Sequence, residues 1–194
     1  MNLDKIIGEL KKELSSKRFH HTEGVAHTAR KLAFRYGADP EKAYIAGWIH
    51  DCAKEMPLSE MQEWTKKDGM RLDPYMMGSR ALLHGPAGSA YAKLHFHMDD
   101  EEILSAVVYH TTGRPHMTLL EKIVFLADYI EPSRDFPGVE GLRKLAEKDL
   151  DEAMLAAYDS TIRHLLDQEA YIYDLTFLGR NDLALQREAR KHKA

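Results

Sequence analysis

The chain has 194 residues, enough for one domain with a substantial core and barely enough for two. Its formal net charge is −4, with acidic and basic residues spread along the chain, which argues against a dedicated nucleic-acid-binding protein. Cys52 is the only cysteine, so no intramolecular disulfide can form and we expect a reducing, cytoplasmic location. The N-terminal sequence is charged, and we expect neither a signal peptide nor a membrane span.

Helical periodicity runs through the whole sequence and strand-like alternation is scarce, which predicts an all-α fold. Apolar residues recur at the spacing that lines one face of a helix. The predicted helices are Leu3 to Leu14, Phe19 to Tyr36, Tyr44 to Ala53, Glu60 to Lys67, Ser79 to Leu94, Asp99 or Asp100 to His110, Leu119 to Ile130, Val139 to Ala146 and Asp149 to about Ala170.

Capping residues mark several of the predicted helix starts. Asp39 followed by Pro40 is typical of an N-cap followed by the first helical position. Thr118 with Glu121 three residues later has the spacing of a capping box. Ser59 is predicted to cap the helix that begins at about Glu60.

The remaining segments are predicted from their turn residues and charge. Met70 to Gly78 is expected to be a loop, and the end of the tail to fray. The whole is interpreted as a single-domain helical bundle. We divide it into an N-terminal helix at 1–17, a main domain at 18–170 and a C-terminal extension at 171–194.

Six polar residues occur where the helical pattern calls for an apolar one. A single case would be explained by a hydrogen-bonded core histidine, but an unpaired buried polar group costs about 1–3 kcal/mol. Six such costs would consume much of a total stability of about 5–15 kcal/mol, so these residues must share a ligand or satisfy one another. The six are His21, His50, Asp51, His84, His110 and Asp128.

Imidazoles and carboxylates without thiolates suit iron, manganese or another transition metal better than a structural zinc site. Six ligands are too many for one catalytic ion that keeps open positions. They suit two ions about 3.5–4 Å apart that share a carboxylate. Two carboxylates leave such a pair cationic, and the site would therefore attract phosphate.

The ordered motifs resemble the HD-domain metal-dependent phosphohydrolases, and in particular the YqeK family. The resemblance covers roughly Arg18 to Leu166, which makes 18–170 the phosphohydrolase domain. The segments that carry it are Arg18-Phe19-His20-His21-Thr22, His50-Asp51-Cys52-Ala53-Lys54-Glu55, His84-Gly85-Pro86-Ala87-Gly88, His110-Thr111-Thr112-Gly113 and Ala127-Asp128-Tyr129-Ile130-Glu131-Pro132-Ser133-Arg134.

The resemblance implies a bacterial symmetrical bis(5′-nucleosyl)-tetraphosphatase, which cleaves diadenosine tetraphosphate and related dinucleoside polyphosphates to nucleoside diphosphates. It implies that His21, His50, Asp51 and Asp128 hold one ion. It further implies that Asp51 bridges to a second ion, which the remaining two histidines hold, and that the metal is iron.

We expect a hydroxide that bridges the two ions to attack phosphorus. His50, Asp51 and Lys54 are the candidate catalytic residues, and Lys54 lies one helical turn after Asp51, where it could bind a phosphate oxygen. Further candidate contacts to the substrate lie in two loops that follow metal ligands. They are Thr111, Thr112, Gly113 and Arg134. For the Pro-bounded loop that carries Arg134, simple turn chemistry is the alternative interpretation.

Two other functions stay open at this point: a phosphohydrolase that acts on mononucleotides, and a nucleotide- or metal-binding regulatory module without turnover. A nuclease is disfavoured by the acidic balance. We expect no nucleic-acid or membrane partner, and a homodimer is possible on general grounds. The other histidines are predicted to be solvated, namely His20, His27, His95, His97, His116, His164 and His192.

Overall fold

The structure is a computed structural model that describes residues 2–192, and within that range the chain forms helices and no strand. The prediction of an all-α fold is therefore confirmed. None of the helices in this range is long and apolar enough to cross a membrane. The helices are α1 (Leu3–Glu13), α2 (Ser16–Tyr36), α3 (Pro40–Ile49), α4 (Leu58–Lys67), α5 (Pro74–Gly78), α6 (Arg80–Leu94), α7 (Glu101–Tyr109), α8 (Leu119–Ile130), α9 (Val139–Ala146), α10 (Leu150–Asp167) and α11 (Asp174–Lys191).

Two of the predicted helix caps are confirmed and one is wrong. The Asp39 carboxylate accepts two backbone N–H groups at the start of α3. Thr118 and Glu121 form the capping box of α8. Helix α4, however, begins at Leu58 without a side-chain cap, so Ser59 lies inside the first turn.

Helix α3 is shorter at its C-terminal end than predicted. It ends at Ile49, and tight turns with three-residue spacing follow, in which Cys52 N donates to Ile49 O at 3.2 Å and Lys54 N donates to Asp51 O at 2.9 Å. Because these turns keep the apolar spacing of a helix, the sequence pattern predicts a helix that continues to Ala53.

Two segments contain helices that the periodicity does not predict. Residues 70–78 were predicted as a loop, but they include the five-residue helix α5, which is too short to show an amphipathic period. The tail contains α11 up to Lys191. The predicted fraying at the C-terminus falls in part on residues 193 and 194, which lie outside the described residues. The proposed domain bounds stay a prediction.

The core lies where α2, α3, α7 and α8 pack together, with α10 behind α8. Helices α2 and α3 approach closely because Gly47 has no side chain: a Cβ atom there would lie 2.5 Å from the Ala26 Cα atom. A second apolar cluster, which includes Met61, Met76 and Leu83, fixes α4 and α5 to α6. These contacts bring the ends of α3 and α7 next to the first turns of α2 and α6 and the last turn of α8.

Candidate metal centre

The six polar residues singled out in the sequence converge in one place. His21 lies in α2, His84 in α6 and Asp128 in α8, whereas the other three directly follow the last residues of α3 and α7. The four histidines and Asp51 are buried, and Asp128 is partly exposed. The donor atoms of these residues form three overlapping groups, in each of which all atoms lie within 4.8 Å of one another.

Asp51 divides the cluster into two halves. Its Oδ2 atom lies 3.5 Å from His50 Nε2 and 3.8 Å from His21 Nε2. Its Oδ1 atom faces the other way, 3.2 Å from His84 Nε2 and 3.5 Å from His110 Nε2. Each carboxylate oxygen therefore faces a different pair of imidazoles.

Asp128 makes its shortest contacts with one half of the cluster, although its donor atom also lies within 4.8 Å of that of His110. Its Oδ1 atom lies 3.0 Å from His21 Nε2 and 3.9 Å from His50 Nε2. That half therefore offers two imidazoles and two carboxylate oxygens. The half at His84 and His110 offers two imidazoles and one oxygen. A metal ion in the first half would therefore have more protein ligands, and an ion in the second half would keep more open coordination positions.

The hydrogen bonds at Nδ1 fix the tautomer of each histidine. His50 Nδ1 donates to Gly47 O at 2.7 Å, and His110 Nδ1 donates to Val107 O at 2.7 Å. His84 Nδ1 makes a longer contact of 3.3 Å to Arg80 O. Because a carbonyl oxygen can only accept, these Nδ1 atoms carry the proton and the Nε2 atoms are left with a free lone pair.

Two of the four Nε2 lone pairs, those of His21 and His50, have no hydrogen-bond partner within the described residues, whereas those of His84 and His110 lie near Lys54 or Thr111. His21 Nε2, His50 Nε2 and Asp51 Oδ1 are buried without a hydrogen bond. His84 Nε2 and His110 Nε2 lie 2.9 Å apart. Buried acceptors that face one another are unfavourable unless a cation lies between them. The cluster thus fits a divalent metal site, and its N and O donors suit a transition metal.

The protonation states favour metal binding at neutral pH. Burial lowers the pKa of His50 to about 3 and that of His84 to about 4, so both imidazoles are neutral. Burial alone would raise the pKa of Asp51, but the surrounding imidazoles, His50 foremost, hold this pKa well below its usual range. The neutral imidazoles and the carboxylate are in the states that metal coordination requires.

Three basic side chains lie at the edge of the cluster. Arg18 Nη1 donates to Asp51 Oδ2 at 2.7 Å. Arg134 Nε donates to the backbone oxygen of Asp128 at 2.8 Å, and its Nη2 atom donates to the carboxylate of the same residue. Lys54 Nζ lies 2.9 Å from His84 Nε2. Two of these three are candidates from the sequence, and both are partly exposed.

A model of the HD domain matches residues 18–133, which is more than half of the chain. The chain belongs to the HD-domain family. The resemblance inferred from the ligand motifs is therefore confirmed.

Similar proteins match this chain over nearly its full length. A protein of Halalkalibacterium halodurans named symmetrical bis(5′-nucleosyl)-tetraphosphatase is 43% identical over 188 residues, which are 97% of this chain and 100% of the relative. The Bacillus subtilis protein of the same name is 41% identical over 93% of this chain and 97% of its own. A Clostridium acetobutylicum crystal structure, described as a predicted HD superfamily hydrolase involved in NAD metabolism, superposes with a TM-score of 0.93 at 44% identity, over 96% of this chain and 98% of that one.

The loop after α7 brings one of its three candidate residues to the metal centre. Thr111 Oγ1 lies 3.0 Å from both His84 Nε2 and His110 Nε2. The neighbouring Thr112 is buried, and its hydroxyl donates to Gly113 O at 3.0 Å. The N–H of Gly113 donates to a backbone oxygen of α7, so it is already occupied.

Two cavities open beside the metal centre. The larger cavity, of about 680 Å³, is lined by Lys54, Asp128, Tyr129, Arg134 and Phe136 among others. The smaller cavity, of about 580 Å³, lies between α5, α6 and the segment that links α10 to α11. Both volumes are in the range of small-molecule binding sites.

Sequence reasoning assigns no role to two residues that contact the ligands. Arg18 precedes His21 by one helical turn, a spacing that could have identified it. Glu131 Oε1 accepts a hydrogen bond from His21 Nδ1 at 2.9 Å, and the N–H and hydroxyl of Ser133 donate to the same carboxylate. The seven histidines predicted to be solvated are all exposed.

Proposed function

We propose that this HD domain hydrolyses diadenosine tetraphosphate and related dinucleoside polyphosphates symmetrically, to two nucleoside diphosphates. Relatives more than 40% identical over nearly the whole chain are named for this activity. The observation that carries the proposal is the position of Asp51 between two pairs of imidazoles. That arrangement suits two metal ions, which are the usual means of cleaving a phosphoric anhydride without a covalent intermediate.

The proposed ligands are the six residues of the cluster. His21, His50, Asp51 and Asp128 would hold one ion, and Asp51, His84 and His110 would hold the other. When bound, such a pair of ions lowers the pKa of water and neutralises charge on phosphate oxygens. Iron is the proposed metal, and manganese is a donor-compatible substitute.

The other residues of the site bind and orient the substrate in this proposal. Lys54 Nζ, 3.8 Å from Asp51 Oδ1 and 31% exposed, would bind an oxygen of the reacting phosphate. Arg134 lines the larger cavity, where its exposed guanidinium face would bind the polyphosphate. Thr111 would donate its hydroxyl to a phosphate oxygen. Thr112 and Gly113 would shape the loop that holds Thr111 in place.

The proposed reaction is a hydrolysis at the centre of a symmetrical substrate. Water adds to one of the two central phosphorus atoms, and the bond from this atom to the bridging oxygen breaks. The bridging oxygen leaves on the other half, so that each half retains one nucleoside and two phosphates. No cofactor other than the metal ions is needed.

The mononucleotide and regulatory alternatives are not favoured. The curated relatives carry names that specify a dinucleoside tetraphosphate substrate, and all six ligand positions are present. A cytoplasmic location and a homodimer stay predictions from the sequence.

Product analysis tests the proposed function. Purified protein loaded with iron or manganese would be incubated with diadenosine tetraphosphate, and the nucleotides separated by chromatography. We expect ADP as the only nucleotide product. Release of AMP together with ATP would contradict symmetrical cleavage. Faster hydrolysis of mononucleotides, with diadenosine tetraphosphate left intact, would contradict the substrate.

A further inference from the structure

The smaller cavity meets the larger one directly at the metal centre. Thr111 and Thr161 line both cavities. Thr111 is also the residue whose hydroxyl lies 3.0 Å from His84 Nε2 and His110 Nε2. A single ligand that passes the metal centre could therefore extend into both cavities at once.

The two cavities differ in charge. The larger one is lined by three basic residues, Lys54, Arg134 and Arg163, and by two acidic ones, Asp128 and Asp167. None of the described residues that line the smaller one is charged. The smaller cavity is thus suited to a neutral group and unsuited to a phosphate chain.

Aromatic and hydroxyl side chains form the wall of the smaller cavity. Tyr75 and Tyr171 stack with ring centroids 4.8 Å apart and an angle of 11° between the rings, and both are more than half exposed. Leu82 and Leu165 add apolar surface, and Ser79 is one of several hydroxyl groups. Exposed aromatic rings next to polar hydroxyls commonly bind a nucleobase by stacking, with little discrimination between bases.

Contacts between distant parts of the chain hold this wall together. The Tyr75–Tyr171 stack joins α5 to the segment between α10 and α11. A second contact joins the same two segments, because Tyr173 Oη donates to Asp73 Oδ2 at 2.5 Å. The wall is therefore held in place by two separate contacts between segments that are distant in the sequence.

We propose that the smaller cavity binds one nucleoside of the dinucleoside substrate while the larger cavity binds the other. This inference rests on the proposed function, in which the scissile bond is central and lies at the metal centre. A symmetrical substrate then projects two phosphates and one nucleoside to each side. The smaller cavity supplies the second nucleoside site, and its tyrosines give a preference for substrates with two nucleosides over substrates with one.

The test compares two ligands that differ in one nucleoside. Diadenosine tetraphosphate is the substrate, and adenosine 5′-tetraphosphate, which has the same four phosphates, is measured as a competing ligand. Ala81→Trp fills the smaller cavity from an exposed position on α6, and Tyr171→Ala removes half of the aromatic stack. Ala189→Trp is the matched control, because Ala189 is exposed on α11 and lines neither cavity.

We expect both cavity variants to raise the KM for diadenosine tetraphosphate about tenfold, the loss typical of one stacked base. The Ki for adenosine 5′-tetraphosphate should change less than about twofold, because its nucleoside can still occupy the larger cavity. The control should keep both constants at wild-type values. If wild type releases ADP and the cavity variants keep the wild-type KM, this inference is wrong and the proposed function stands. If wild type releases no ADP from the substrate, both are wrong.

Discussion

Glu131 accepts a hydrogen bond from His21 at 2.9 Å, and it does so on the side of the imidazole that faces away from the metal centre. The carboxylate is buried, and Ser133 also donates to it. Burial alone would raise the pKa of Glu131, but the hydrogen bonds from Ser133 and His21 lower it, so the carboxylate is ionised. An ionised acceptor at Nδ1 fixes the ring and makes Nε2 a stronger metal ligand.

Glu131→Gln is expected to weaken metal binding by about 10–100-fold, because a neutral amide orients and polarises His21 less well. Competition with a chelator of known affinity measures the change. Glu140→Gln, at an exposed carboxylate of α9, is the control and should leave the affinity unchanged. Equal affinity in the two variants would show that Glu131 does not support the centre.

His20 and His21 are a matched pair of adjacent imidazoles. His20 is exposed and His21 is buried among the ligands. His21→Ala should reduce turnover of diadenosine tetraphosphate by more than the roughly 100-fold that a supporting residue costs. His20→Ala should stay within about twofold of wild type, since its exposed side chain lies beside Glu23 and not among the ligands. Similar losses in both variants would contradict the assignment of His21.

Gly113 adopts a backbone conformation that other residues avoid, with φ of +61°. A Cβ atom at this position would lie 1.6 Å from Tyr158 Oη. Gly113→Ala should therefore lower the free energy of unfolding by about 2–5 kcal/mol, through backbone strain and overpacking together. Urea denaturation measures the change.

The control for this variant is Gly141→Ala in α9. Nothing lies within 4 Å of a Cβ atom at Gly141, and the residue is helical. This substitution should raise the free energy of unfolding by about 0.5–1 kcal/mol. Destabilisation of similar size in both variants would contradict the account of the Thr111 loop.

The metal-free protein should lose stability as the pH falls below about 6.5. The folded-state pKa is about 3 for His50 and about 4 for His84, against 6.5 for an unperturbed imidazole. Between these values the unfolded chain binds protons that the folded chain does not. The free energy of unfolding therefore decreases by up to about 1.4 kcal/mol per pH unit for each of the two imidazoles.

Urea denaturation of metal-free protein at pH 7, 6 and 5 measures this slope. His84→Asn should make the slope shallower, whereas His20→Asn should not change it, because His20 is exposed. A free energy of unfolding that stays constant from pH 7 to pH 5 would contradict the burial of neutral imidazoles.

Much of the centre could be predicted because its ligands interrupt apolar patterns. A histidine in the apolar stripe of α6 or at the end of α7 can be recognised from the local sequence. The free-energy cost of burying it unpaired predicts a shared partner. Arg18 and Glu131 gave no such signal, because charged residues near helix ends usually lie in solvent. Their contacts with Asp51 and His21 depend on how the helices pack.

The cavities could not be predicted from local patterns. Helix α5 is five residues long, so it has no measurable period. One wall of the smaller cavity is formed by Tyr75 and Tyr171, which are far apart in the sequence and stack on each other. The end of α3 could not be predicted either, because the turns after Ile49 keep the apolar spacing of a helix.

Anomalous diffraction from crystals of the metal-loaded protein tests the central claim most directly. We expect two peaks in each chain, each about 2.0–2.2 Å from a different oxygen of Asp51. One peak should be shared by His21, His50 and Asp128, and the other by His84 and His110. A single peak, or two peaks of which one has no contact with Asp51, would contradict the dinuclear centre.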